Sequence, residues 1–242
     1  KPMMRELNTA PHVHGVDGLA GVELPQSSAP VETEAAWDAI YRIAKEQNGE
    51  LVLIAVGPMT NVALALTKYN DLPKYIKRIV IMGGAAIGGN VTPAAEFNIY
   101  VDPEAGVLVF TSGIPIVMCG LDVTMKAYLT DAEIERIGSM GSKEAKLFHD
   151  VEQKALGFYR TLGMNYVAAH DPTAVLFASD DSIFTGEEAG VHVETKGKLT
   201  LGKTVTDLYS DAQFDDHFVF IVTDVDRDAF VKKVTQLMES YS

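Results

Sequence analysis

Three short apolar runs constrain this chain most: residues 51–56 (LVLIAV), 79–82 (IVIM) and 114–119 (IPIVMC), followed at once by Gly57, Gly83 and Gly120. None alternates apolar with polar. A strand with one wet face alternates; an unbroken run is the mark of a strand buried on both faces, as in a parallel sheet covered by helices. Helical signals lie between the runs. In 34–47, Ala36, Ile40, Ile43 and Ala44 share a face at 3.6 spacing. Thr60 or Asn61 can cap a helix through Ala63, Leu64 and Leu66. Residues 103–111 have Pro103 in the first turn and Gly113 past the end. Strand, helix and strand in succession imply parallel pairing through right-handed crossovers.

The remainder fits the same frame. Residues 1–30 carry Pro2, Pro11, Pro25 and Pro30 with interspersed glycines and read as loop. Thr130-Asp131-Ala132-Glu133 is a capping box, and 143–162 is a long helix. Asp171-Pro172 opens a short helix through Val175, Leu176 and Phe177. Alternation in 190–206, turning at Gly197, predicts an antiparallel, half-exposed hairpin. A strand at 218–222 and a helix at 226–238 complete the chain. The fold class is α/β: a mainly parallel open sheet flanked by helices, with a β-hairpin excursion. No linker, repeat or low-complexity segment divides residues 1–242, so one domain is expected.

Composition excludes several functions. Thirty-three acidic residues against 20 basic ones give a net charge of −13, which opposes binding to a phosphate backbone and so to nucleic acid. No apolar run approaches the roughly 20 residues that span a bilayer. Cys119 is the single cysteine, so no internal disulfide can form.

Ligands of open parallel sheets bind beyond the carboxyl ends of the strands, which directs attention to residues 56–58, 83–98 and 120–122. The 83–98 loop is glycine-rich, but it has neither the G-x-x-x-x-G-K-[ST] nor the G-x-G-x-x-G spacing. A nucleotide-phosphate loop and a dinucleotide-dependent oxidoreductase are both disfavoured. Asn90, Glu96 and Asn98 offer amides and a carboxylate suited to vicinal sugar hydroxyls; ordinary turn chemistry is the alternative. His170-Asp171-Pro172 reads either as a structural histidine beside an N-cap or as a substrate contact next to a ligand for a hard cation. His12, His14 and Asp17 include a His-x-His pair without an evident third ligand, and Glu187-Glu188 and Asp215-Asp216 read as solvated charges.

Taken together, certain segments resemble the inosine–uridine nucleoside hydrolase family. They are His14-Gly15-Val16-Asp17-Gly18-Leu19, Val56-Gly57-Pro58-Met59-Thr60-Asn61, Met82-Gly83-Gly84, Gly89-Asn90-Val91-Thr92-Pro93-Ala94-Ala95-Glu96-Phe97-Asn98, Asp102-Pro103-Glu104-Ala105, Gly120-Leu121-Asp122-Val123-Thr124 and His170-Asp171-Pro172. The resemblance runs from about residue 11 to the C-terminus in the family's order. It implies the nucleoside hydrolase fold and cleavage of the N-glycosidic bond of ribonucleosides to ribose and free base, at a site holding Ca2+. It implies Asp171 and the backbone carbonyl of Val56 as calcium ligands, and Asn90, Glu96 and Asn98 on the ribose hydroxyls. Met82 and Phe97 would pack on the sugar, His170 would assist the departing base, and His14 would lie on the base side. Base preference would fall to residues such as Tyr159, Asn165 and Tyr166. A cytoplasmic homodimer or homotetramer acting in purine or pyrimidine salvage is the accompanying expectation.

One departure is large. The family's D-x-D-P-G-x-D-D motif, on its first strand, supplies most calcium ligands and the aspartate that deprotonates water; this sequence has no such motif, and Asp224-Val225-Asp226 is only a superficial echo. The sheet is therefore expected to lack its N-terminal strands. Two readings stay open: a nucleoside hydrolase whose N-terminal part is absent from these 242 residues, a start at Lys1 favouring a fragment, or a catalytically inactive ribose- or nucleoside-binding relative.

Overall fold

The computed structural model describes residues 1–19, 21–24, 27–209, 213–214 and 216–241; Pro25 of the N-terminal loop and Asp215 lie outside them. In chain order the helices are α1 (Pro11–His14), α2 (Ala36–Gln47), α3 (Thr60–Lys68), α4 (Phe97–Val101), α5 (Pro103–Phe110), α6 (Leu121–Thr124), α7 (Asp131–Gly138), α8 (Lys143–Thr161), α9 (His170–Ser179) and α10 (Arg227–Glu239). The strands are β1 (Leu51–Ala55), β2 (Ile76–Met82), β3 (Ile116–Cys119), β4 (Tyr128–Thr130), β5 (Tyr166–Ala168), β6 (Phe184–Val193), β7 (Thr204–Asp207) and β8 (Phe218–Val225).

The chain packs as two compact units, built from interleaved segments. The first comprises Lys1–Leu7, Glu32–Thr124 and His170–Asp224. Its six-stranded sheet runs β1-β2-β3-β8-β6-β7, with β1, β2, β3 and β8 parallel and the β6–β7 pair antiparallel. The α/β, mainly parallel architecture is thus present, hairpin included. Ile79, Val80 and Ile81 of β2 and Met118 of β3 are fully buried, as unbroken apolar runs require. β1 differs: all five of its apolar residues are only half-buried. It is the first strand in the sheet order, pairing with β2. Position in the sheet, not composition, sets its exposure.

Local signals resolve in several ways. The N-cap of α3 is Met59, without a side-chain cap bond; Thr60 instead donates to Asp102 Oδ2 at 2.6 Å. Asp102 is itself buried as the cap of α5 and also accepts from Met3 N at 2.9 Å. Asp171 and Pro172 do not precede α9 but lie inside its first turn, since the helix starts at His170. The hairpin begins earlier than the alternation suggests, at Phe184, and one helical turn, α1, interrupts the N-terminal loop.

The second unit comprises Asn8–Val31, Met125–Ala169 and Val225–Ser242. Its β4–β5 pair is antiparallel. The capping box opens α7, with Thr130 Oγ1 and Glu133 exchanging bonds with each other's backbone. Asp226, in the superficial aspartate echo, is the N-cap of α10, accepting from Ala229 N at 3.0 Å. Arg227 pairs with Glu133 and lies 4.2 Å over the Tyr128 ring. No helix among the described residues is long and apolar enough to cross a membrane.

Candidate functional site

Parallel registers align Ala55 with Ile81 and Met82 with Cys119, so the loops after β1, β2 and β3 leave one edge of the first unit's sheet. This is the ligand-binding edge of open α/β sheets. The 83–98 loop is fastened to it by side chains distant in sequence. Gly84 has φ +78°, and a Cβ there would lie 2.9 Å from Met118 Sδ and from Thr204 Cγ2, so only glycine fits. Thr204 Oγ1 accepts from Ala85 N (2.9 Å) and donates to Ala85 O (2.8 Å). Lys203 Nζ donates to Ala85 O and Ala86 O at 2.8 and 2.9 Å, and burial lowers its pKa below the usual lysine value while the Asp122 charge opposes this. Asp122 accepts from Ala86 N and Ile87 N at 2.7 and 3.0 Å.

Glu96 is 2% exposed. It caps α4 by accepting from Asn98 N and Ile99 N, and reaches back to Gly84 N at 2.9 Å. Burial pushes its carboxyl up to about 7; its bonds to the N–H groups of Asn98, Gly84 and Ile99 pull the other way, and the charge of Asp171 adds to the rise. Asn98, also buried, donates from Nδ2 to Met82 O at 3.0 Å and Met82 Sδ at 3.3 Å. That geometry fixes the amide so that its carbonyl oxygen is the side available to a hydroxyl. Asn90 is exposed and its Oδ1 accepts from Phe97 N at 2.9 Å, so one of its two polar ends already holds the loop. Phe97 is half-buried.

Glu96, Asn98 and Met82 are thus one bonded cluster, with Asp171 close enough to act on Glu96 electrostatically. Asp171 is exposed and His170 half-buried. His170 Nδ1 lies 2.8 Å from Oγ1 of Thr124, which is fully buried at the end of α6. Val56 follows β1 and is 37% exposed. The Asp171 carboxylate and Val56 carbonyl are oxygen donors of the kind Ca2+ takes, but the ion needs about six to eight. The two fit calcium in kind and fall short in number.

Other sequence candidates are elsewhere. His14 is exposed on α1, in the second unit. Asp17 spends its carboxylate on Leu19 N and Gly21 N, and His12 meets Phe158 edge-on at 6.1 Å; this is loop packing, and the three do not gather as a metal-binding group. His12 and Asp17 help line an open hollow of about 880 Å³ with Lys154 and Phe158, but none of Asn90, Glu96, Asn98 and Asp171 lines it. Tyr166 packs on Tyr128 at 4.5 Å, while burial pushes the Tyr159 hydroxyl up to about 12. Glu187 and Glu188 are exposed, as expected. Cys119 is buried and its thiol is pushed up to about 12, too high to act as a nucleophile. The loop clamps Lys203 and Thr204 were not singled out from sequence: both lie on the hairpin, more than a hundred residues from their partners.

The family model described as inosine-uridine preferring nucleoside hydrolase matches residues 1–232. The pyrimidine-specific ribonucleoside hydrolase RihA of Salmonella enteritidis is 42% identical over all of this chain and 78% of its own length. A purine-preferring ribonucleoside hydrolase from Gardnerella vaginalis superposes with a TM-score of 0.90 at 31% identity, over 99% of this chain and 78% of that one. A plant nucleoside hydrolase gives 0.89 at 29% identity, over 96% and 76%.

Proposed function

The chain belongs to the inosine-uridine preferring nucleoside hydrolase family, and from that premise we propose that it cleaves the N-glycosidic bond of ribonucleosides, pyrimidine ribonucleosides foremost, to ribose and free base. The observation that carries the reading is the buried Glu96–Asn98–Met82 cluster at the carboxyl end of β2, on the binding edge of the sheet. The pyrimidine preference rests on the 42% identity to a pyrimidine-specific relative. Residues 1–242 act here as a single nucleoside hydrolase-like domain.

The chemistry follows from charge. When the C1′–N bond breaks, its electron pair leaves with the base, the ribosyl ring becomes cationic, and water adds at C1′. Groups fixed before the reaction stabilise such charge best, because they need not reorganise. Glu96 and Asn98 are fixed in this way by backbone bonds, and they bind ribose hydroxyls together with the exposed amide of Asn90. Met82 and Phe97 pack on the sugar. The base departs more readily when hydrogen-bonded or protonated. Thr124 O–H donating to Nδ1 of His170 would leave the ring proton on Nε2, the form that donates to the leaving base.

Asp171 and the Val56 carbonyl would hold a Ca2+ through two oxygens, and a D-x-D-P-G-x-D-D segment of the family's kind would supply further ligands and the base that deprotonates water. When bound there, the ion would supply chelation of vicinal hydroxyls and polarisation of water. A homodimeric or homotetrameric state and a cytoplasmic location belong to the same proposal; light scattering and cell fractionation check them.

The test is ribose release from uridine, cytidine and inosine, by the chain alone and by the chain joined to such an aspartate-rich segment. Turnover of uridine and cytidine by the joined form, with little from the chain alone, is expected. Nucleoside binding without ribose release by either form would overturn the hydrolase reading in favour of a binding protein.

A further inference from the structure

We propose that His192, Asp216 and His217 form a binding site for a divalent transition-metal ion of the Zn2+ class, on the β6 side of the first unit's sheet. Among the described residues they are the one group of three or more His, Cys, Asp or Glu side chains whose ligand atoms gather closely enough to hold an ion, all within 4.8 Å of one another. The Nε2 atoms of His192 and His217 lie 3.0 and 3.1 Å from the two carboxylate oxygens of Asp216. Ligands around tetrahedral zinc lie roughly 3.3 Å apart, as bonds of about 2.0–2.1 Å dictate. Each histidine thus already sits at that distance from one oxygen of the shared carboxylate, and with one ligand atom from each residue within 4.8 Å of the others, small side-chain rotations would close the three around an ion.

The placement is enforced from several directions. His192 stands on β6, opposite Val205 of β7, with its ring edge-on to Phe214 at 4.5 Å and His217 at 5.1 Å. The segment carrying Phe214 is held by Asp207, which accepts from Phe214 N at 2.9 Å and also from Gln213 N. Gly190 admits the segment against the strand, since a Cβ there would lie 2.5 Å from Phe214 Cβ. His217 takes a left-handed conformation, φ 55°, and its carbonyl accepts from Val191 N at 3.2 Å. Left-handed backbone is uncommon for a non-glycine residue, and here it comes with a ring turned back toward Asp216.

The donor set selects the ion. Two imidazoles and one carboxylate suit Zn2+, Co2+ or Ni2+, whereas Ca2+ and Mg2+ seek oxygen alone. The side chains of His192, Asp216 and His217 are 41%, 52% and 29% exposed, so an ion has an entry path and room for a water as fourth ligand. The site is distinct from the strand-end cluster, shares no residue with it and does not depend on the proposed activity.

The experiment titrates Co2+ into the full chain, in millimolar Ca2+ to occupy oxygen-only sites, and follows the visible ligand-field bands. One equivalent of Co2+ with tetrahedral-type absorption, displaced by Zn2+, is expected. The bands should vanish in His192→Ala and in His217→Asn, the latter chosen because Asn tolerates the left-handed backbone. Asp216→Asn, nearly isosteric, should keep the fold and weaken Co2+ by on the order of tenfold or more. Absence of bands in the wild-type chain would show that the three side chains form ion pairs alone, and bands surviving in either histidine variant would place the ion elsewhere; each overturns the proposal.

Discussion

At the residue scale, Asn98 and His170 divide the proposed chemistry between them. The amide of Asn98 is aimed by Met82 O and Sδ, so truncation removes both the aim and the hydroxyl contact. Asn98→Ala is expected to lower kcat/KM on ribonucleosides by about tenfold to a hundredfold, the equivalent of ~1.5–3 kcal/mol for a hydrogen bond to a charge-bearing group. Steady-state kinetics beside a thermal melt check it: an unchanged kcat/KM in a folded variant removes Asn98 from the site. His170 is tested by leaving group. Against a ribonucleoside, His170→Ala should cost about 10²–10⁴-fold, the usual contribution of a positioned general acid. Against nitrophenyl riboside, whose leaving group needs no proton, it should cost little. Equal losses would mean that the histidine, bonded to Thr124 at 2.8 Å, only positions its neighbours.

At the element scale, α8 carries a group at odds with its surroundings. Glu152 is half-buried on this helix, and burial pushes its carboxyl up to about 7 from 4.5. A folded-state pKa raised above the unfolded value favours folding fully below the unfolded pKa, and the contribution is lost as pH rises through the folded pKa. Stability should therefore fall between pH 4.5 and 7 on account of this one side chain. Glu152→Gln should gain on the wild type over the same interval, reaching on the order of 1–3 kcal/mol at pH 8. Denaturant unfolding at pH 4.5, 6 and 8 measures this; a difference that does not vary with pH would show that the carboxyl ionises freely. The short elements obey local chemistry more simply. α7 starts where Thr130 and Glu133 exchange bonds, a contact closed within four residues and so readable in advance. α3 starts without its expected cap because Thr60 finds the buried Asp102 instead, and that partner is forty-two residues away.

At the scale of the whole molecule, strand order governs. β8 comes last in sequence yet lies between β3 and β6, and its Ile221 and Val222 are fully buried. A chain ending before Phe218 loses a central strand, not an edge, and is expected to lose cooperative unfolding of the first unit; a sharp thermal transition in that truncated chain would contradict this. The sequence by itself determined the α/β class, the buried β2 and β3, the capping box at Thr130, and the segment holding Glu96 and Asn98. Each leaves its mark within a few residues, through apolar runs, a capping spacing or a dense motif. Tertiary structure alone decided that β1 is a half-exposed edge, that Lys203, Thr204 and Asp122 clamp the 83–88 stretch, and that His192 of β6 meets Asp216 and His217 just ahead of β8. It also decided that two units share the chain in interleaved segments, which is why no linker marks them. Those outcomes depend on contacts between residues far apart in sequence, and the local pattern around either partner carries no record of the other.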